Sequence, residues 1–391
     1  MRLSRRKFVA GTTTAAATGM LPGWANGQTP PAALYRGPNV VIVRFGGGVR
    51  RHETIETATT YAPFLAHQLV PRGVLLPAMT IAQLDGVETS HAEGTLNILT
   101  GRYRGYEDIS SRPVIHRLRP TVPTLFQTLR LAFGVAPHEA LMINGENRQE
   151  EEFLMRSGHR HTGFEHEGEI ISLYRFKLHK LGRILSERTE KPEALAAAEK
   201  QLASLLRRDS LGRKTPVPQA PAIVAMWDRW RERFGDSGLV NARGDRLLTQ
   251  LALTAFAELK PRLMMICYQD PDYVHWGNAT HYTRAIAIID DGLRQIVDML
   301  DHDPFYRGNT ILCVVPDCGR DANPLMDVPF QHHFGSRAAH QIWALFTGPG
   351  IGRDRRDSAP VDQSGIAPTL AQLMGLHMPA AEGGLLSTVF A

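Results

Sequence analysis

Asn39-Val40-Val41-Ile42-Val43-Arg44-Phe45 is a β-branched run ending in Gly46-Gly47-Gly48, and it predicts a buried strand that enters a tight turn. Apolar runs of the same kind recur at 141–144, 262–268, 310–316 and 341–347, and helical stretches such as 53–69 and 280–300 lie between them. Strands alternating with helices argue for the α/β class: an α/β/α sandwich around a largely parallel sheet covered on both faces. Between about 150 and 258 the composition shifts to long, charged, Ala/Leu-rich segments, such as 191–208 and 227–234, broken by Pro216, Pro218 and Pro221. This stretch reads as a helical insertion or cap on a domain spanning 28–391.

The chain has 391 residues and 43% hydrophobic content, which excludes a disordered tail and an integral membrane protein. Its 44 Lys+Arg exceed its 39 Asp+Glu, a formal charge of +5 that would suit an anionic partner such as nucleic acid. The excess is local. Arg2, Arg5, Arg6 and Lys7 lie in the first 27 residues, which hold no acid, and the remainder is near neutral. No basic stripe with interleaved aromatics follows, so nucleic acid is not an expected partner. Ser4-Arg5-Arg6-Lys7-Phe8-Val9 resembles the bacterial twin-arginine export signature, followed by a weakly apolar stretch over 9–21 and a small-residue exit at Ala25-Asn26-Gly27. The resemblance implies passage through the twin-arginine translocase, removal of 1–27 and a periplasmic or extracellular location; the bland alternative is a basic tail before a short helix. Such substrates cross the membrane folded, often loaded with a cofactor. No later run of about 18 apolar residues exists, so no stable membrane anchor is expected. Cys267, Cys313 and Cys318 lack CxxC spacing, which argues against a disulfide framework or a zinc ribbon.

Open α/β sheets place ligands at the carboxyl ends of their strands. The run at 262–268 exits into Gln269-Asp270-Pro271-Asp272-Tyr273-Val274-His275-Trp276-Gly277, and that at 310–316 into Asp317-Cys318-Gly319-Arg320-Asp321. Gln331-His332-His333-Phe334-Gly335 and His340 come shortly after. Carboxylates and imidazoles meeting at one sheet edge suit zinc or a similar divalent ion. Each Asp alone also reads as an Asx-turn or helix cap.

The order of these motifs resembles the alkaline phosphatase superfamily of phosphatases, phosphodiesterases and sulfatases. Asp272-x-x-His275-Trp276-Gly277, with Tyr282, Ala285-Ile286 and Asp290 after it, is similar to the family's Asp-x-x-Gly-His segment and succeeding helix. Asp317-Cys318-Gly319 is similar to its Asp-His-Gly, and His333-x-Gly335 leading to Phe346-Thr347-Gly348-Pro349-Gly350-Ile351 to its late histidine and following strand. Gly365-Ile366-Ala367-Pro368-Thr369-Leu370, Leu373-Met374-Gly375-Leu376 and Gly383-Gly384 match its C-terminal segment, and Thr100-Gly101 closes its nucleophile helix. The likeness covers 40–101 and 262–386.

The resemblance implies a metal-dependent hydrolase of phosphate, phosphonate or sulfate esters, acting on a small anionic ester. One metal would keep Asp272, His275 and His333; the other would keep Asp317, with Cys318 as thiolate and His52, Glu53 or His91 as replacements. The departures are specific. Gly46-Gly47-Gly48 stands where the family's first strand ends in a metal-binding Asp, Cys318 replaces a histidine, and the Asp272 motif is one residue short. The nucleophile position falls near His91, flanked by Thr89 and Ser90, so that Ser90 or Thr89 would be the nucleophile, or His91 a base or ligand. Arg50, Arg51 and Arg320 are candidate clamps for an anionic ester, or else solvated or ion-paired arginines. With half of a two-metal pair eroded, a non-catalytic periplasmic binding protein on the same fold is the alternative. Gly235-Asp236-Ser237-Gly238 lacks the all-β context of a serine protease, Gly46–Gly48 lacks the lysine of a P-loop, and Trp227 and Trp230 at helical spacing read as core.

Overall fold

The computed structural model describes residues 34–84, 88–109, 117–156, 164–207, 219–238, 244–275, 278–321, 330–332 and 335–391. The twin-arginine segment and His333 lie outside these residues.

The central sheet has eight strands: β1 (Asn39–Arg44), β2 (Gly73–Leu76), β3 (Ala140–Ile143), β4 (Glu169–Ile171), β5 (Leu263–Cys267), β6 (Thr310–Val315), β7 (Ala344–Thr347) and β8 (Arg355–Arg356). Their spatial order is β8-β2-β7-β6-β1-β5-β3-β4. β1 pairs in parallel with both β5 and β6, β3 with β5 and β4, and β2 with β8, while β7 runs antiparallel to β6 and β2. Most of the sheet is therefore parallel, and helices cover both faces.

The pattern of β1 explains this. Val41 and Val43 enter one core, shared with Trp227, Trp230, Phe256 and Ile289, and Val40 and Ile42 enter the opposite one, with Leu96, Leu99, Phe126 and Leu370. A strand buried on both faces needs an unbroken apolar run. Each such side chain contributes roughly 1.5–3 kcal/mol on burial. The helix α5 (Ala279–His302) turns Tyr282, Ile286, Ile289, Leu293, Ile296 and Leu300 inward at helical spacing, and the Asn278 side chain caps its start by accepting from the His281 N–H. Among the described residues no helix is long and apolar enough to cross a membrane.

Two expectations differ from the structure. The stretch 53–69 is not one helix: a single turn, Arg51–Thr54, is followed by loop and then by a π-helical segment, Phe64–Leu69. Threonine hydroxyls compete for the backbone here. Thr60 Oγ1 donates to the Thr54 carbonyl at 2.7 Å and accepts from the Ala62 N–H at 2.8 Å, just before Pro63. The stretch 150–258, expected to be helical, also supplies β4 at the sheet edge, and its helix α3 (Pro221–Phe234) buries Trp227 and Trp230 in the main core. A three-residue strand is too short to show a period.

Candidate metal centre

Three strand ends and one helix N-terminus build the site. α1 (His91–Thr100) starts at Ser90, whose hydroxyl accepts from the Glu93 N–H, and stops at Gly101 in the left-handed conformation, φ 65°. His91 is thus the first residue of that helix. Gly94 lets the helix approach the end of β6, since a Cβ there would lie 2.1 Å from the Asp317 carbonyl oxygen. The turn after β1 packs equally close: Gly47 has φ +85°, and a Cβ on it would meet the Asp272 amide nitrogen at 2.4 Å.

His91 lies between the two carboxylates. Its Nε2 donates to Asp272 Oδ1 at 2.7 Å and its Nδ1 to Asp317 Oδ2 at 2.8 Å. Burial opposes a charge on this ring, but Asp272 and Asp317 outweigh it and hold the pKa well above the ordinary histidine value. Burial would by itself raise the pKa values of the carboxyls, yet His91 and the other donors keep both well below the carboxylate range.

On the Asp272 side, three imidazole nitrogens converge on a single oxygen. Asp272 Oδ1 lies 2.7 Å from His91 Nε2, 3.0 Å from His332 Nε2 and 3.3 Å from His275 Nε2. The ligand atoms of His91, Asp272 and His332 lie within 4.8 Å of one another. His332 is pushed down to about 4, chiefly by burial, so it is neutral and able to coordinate at neutral pH. Buried His275 Nδ1 has no hydrogen-bond partner among the described residues. Two imidazoles and one carboxylate, His91, His332 and Asp272, form a donor set suited to a divalent ion such as zinc, and the residues present fit one. The other oxygen, Asp272 Oδ2, accepts from Arg148 Nη2, while Arg148 Nε donates to Gln269 Oε1 at 3.1 Å. Gln269 also borders a cavity of about 340 Å³ whose wall includes Asn147, Leu173, Leu247, Leu248 and Tyr273.

The Asp317 side is drier. His91, Asp317 and Cys318 bring three potential ligand atoms within 4.8 Å. Asp317 Oδ1 accepts from the Cys318 N–H at 2.9 Å, and Cys318 Sγ lies 3.9 Å from His91 Nδ1. Burial pushes the Cys318 thiol up to about 11. Behind Asp317 stands Arg44, fully buried: its Nη1 is 2.9 Å from Glu151 Oε1 and its Nε is 3.8 Å from Asp317 Oδ2.

Of the residues expected at the site, His91, Asp272, His275, Asp317 and Cys318 come together. Ser90 caps the helix and donates to Glu93 Oε2 at 3.2 Å, and Thr89 is buried beside it. His52 and Glu53 pair with each other, and Glu53 also with Arg50. Arg50 and Arg51 are taken up by Glu53 and by the carbonyls of Ile342 and Met79 respectively. Arg320 cannot clamp a substrate: its five N–H groups go to the carbonyls of Gly47, Gly48, Pro271, Val274 and Phe330. It ties the loops together instead. The motif pattern missed His332, Arg148, Arg44 and Glu151. His332 adjoins the expected His333, and a histidine pair leaves spacing ambiguous by one. Arg44 carried a signal, being a charge inside an apolar strand.

An α/β/α sandwich with carboxylates and imidazoles gathered at the strand ends defines the class: the fold is that of the alkaline phosphatase superfamily. The chain is similar to a protein of that superfamily from Vibrio parahaemolyticus, at 16% identity over 92% of this chain and 72% of that one, TM-score 0.53. It is similar to the alkaline phosphatase PafA at 12% identity over 91% and 99%, TM-score 0.56, and to a 2-O GAG sulfatase at 13% over 90% and 73%, TM-score 0.52. No protein-family model and no curated protein matches the sequence.

Proposed function

We propose that the chain is an exported, metal-dependent hydrolase of phosphate, phosphonate or sulfate esters with a degenerate second metal site. The observation that carries this reading is the convergence of His91, His275 and His332 on Asp272 Oδ1. His91, His332 and Asp272 would hold one divalent ion, with His275 beside them, zinc being the best match to their donors. When bound, the ion would polarise an ester oxygen or lower the pKa of a water.

The chain's own residues do the rest. Asp317 accepts the Nδ1 proton of His91, which fixes the ring and presents Nε2 to the Asp272 side. Arg148 adds fixed positive charge beside Asp272, where an anionic ester would arrive. Ser90 caps the helix start, and His91 reaches both carboxylates. The apolar cavity past Gln269 is shaped for an organic leaving group. The twin-arginine resemblance supports export in the folded, metal-loaded state.

A second reading has one observation in its favour: Asp272 and Asp317 already have cationic partners in Arg148 and Arg44. A binding protein without catalysis would need no more. Metal analysis of the folded protein, with aryl phosphate, phosphodiester and sulfate substrates assayed on wild type and Asp272→Ala, separates the two. We expect stoichiometric metal and activity in the wild type, and at least about a hundredfold loss of both affinity and turnover in the variant. A metal-free, inactive wild type would sink the hydrolase reading.

A further inference from the structure

β1 is apolar except at its ends, and its last residue, Arg44, points a guanidinium into the interior beside Asp317. An isolated buried charge is costly, so Arg44 stays only because anions and acceptors surround it. Glu151 Oε1 lies 2.9 Å from Nη1 and Thr95 Oγ1 accepts from the same nitrogen at 2.7 Å. Glu151 is itself fully buried. The place beside Asp317 is where the fold family would put its second ion, with a ligand from the end of the first strand. Here Gly46 stands just past that strand end, and a Cβ on it would lie 2.0 Å from the Tyr268 carbonyl oxygen, which leaves no room for a ligating side chain. The remaining donors fit poorly. Asp317 Oδ2 already faces both His91 Nδ1 at 2.8 Å and Arg44 Nε at 3.8 Å.

We propose that Arg44 takes the place of the second metal ion: its guanidinium supplies the fixed positive charge on the Asp317 side and excludes a divalent cation from it. The centre then holds one ion, on the Asp272 side, a count that rests on the hydrolase reading above. Glu151, Arg44, Asp317 and His91 form a chain of alternating charge that ends at His91 Nε2. Arg44 is a positioning residue: it holds Asp317 as the anion that orients His91.

The test is a titration of the metal-free full chain with Co²⁺, read by bound equivalents and by visible and near-ultraviolet absorption. The wild type should take one equivalent with no thiolate-to-cobalt band. Arg44→Lys, which keeps the charge, should match it. Arg44→Met should gain one equivalent over the wild type, because Asp317, Glu151 and Cys318 lose their internal cation, and the thiolate band should appear. Two equivalents in the wild type, or no gain in Arg44→Met, would overturn the proposal. A wild type that binds none while Arg44→Met binds one removes the hydrolase reading and leaves the role of Arg44 supported. Should Arg44→Met not fold, the wild type decides: a second equivalent or a band from Cys318 overturns the proposal, and one ion bound through nitrogen and oxygen supports it.

Discussion

The two sides of His91 share one ring and almost nothing else. The Asp272 carboxylate is 15% exposed, meets three imidazoles and is linked through Arg148 and Gln269 to an open cavity. The Asp317 carboxylate is 0% exposed and, besides the ring, meets a guanidinium and the Cys318 N–H. Both anions are compensated, Asp272 by imidazoles together with the partly buried Arg148, and Asp317 by the fully buried Arg44 and the shared ring. Imidazoles can give up their protons to an incoming metal, whereas a guanidinium stays charged at any working pH. One side is therefore exchangeable and the other is fixed.

The largest effect should come from the fixed side. Glu151→Ala removes the carboxylate 2.9 Å from Arg44 and leaves a buried guanidinium with, among the described residues, only Asp317, at 3.8 Å, for an anion. Breaking such a pair costs about 3–5 kcal/mol. Denaturant unfolding of the metal-free protein should show that loss, while the folded fraction keeps its metal count. Loss of metal without loss of stability would erase the distinction between the sides. Asp317→Asn crosses the boundary. It keeps the volume but replaces the anion that accepts the His91 Nδ1 proton at 2.8 Å. A partner behind a ligating histidine is worth about 10–100-fold in metal affinity or activity, and competition against a chelator would read it. An unchanged affinity would mean that the two sides do not communicate through the ring.

The same contrast governs what was legible from sequence. The strand 39–45 declares itself because burial on both faces requires an unbroken apolar run. Asp272, His275 and Asp317 follow strand ends directly, where chemistry collects in such sheets. The late histidine expected from the motif, His333, lies outside the described residues; the ring seen at Asp272 is that of its neighbour His332, and pattern fixes a loop but not the register of a histidine pair. What Arg44 pairs with was hidden differently: its partner is Glu151. Their pairing joins the first strand to a segment more than a hundred residues later, and only the folded chain brings them together. The short strand Glu169–Ile171 likewise owes its conformation to pairing with Ala140–Ile143 rather than to its own residues.

The smallest effect separates the site from the rest of the molecule by the sign of its pH dependence. Asp272 and Asp317 are held below their unfolded values, so their contribution is present above the unfolded carboxylate pKa and is lost as pH falls through the folded one. Asp290 lies elsewhere, where its carboxylate accepts from the Phe64 and Leu65 N–H groups at 2.9 and 2.8 Å. Burial raises its pKa, so its contribution is full below the unfolded value and is lost as pH rises through the raised folded value. Asp290→Asn should therefore flatten the stability lost on raising the pH from about 4 towards neutral and leave the acid limb untouched. Asp317→Asn should do the reverse. Unfolding free energies measured from acid to neutral pH check both, and an Asp290→Asn profile that changes on the acid limb would show that the acid sensitivity does not belong to the site.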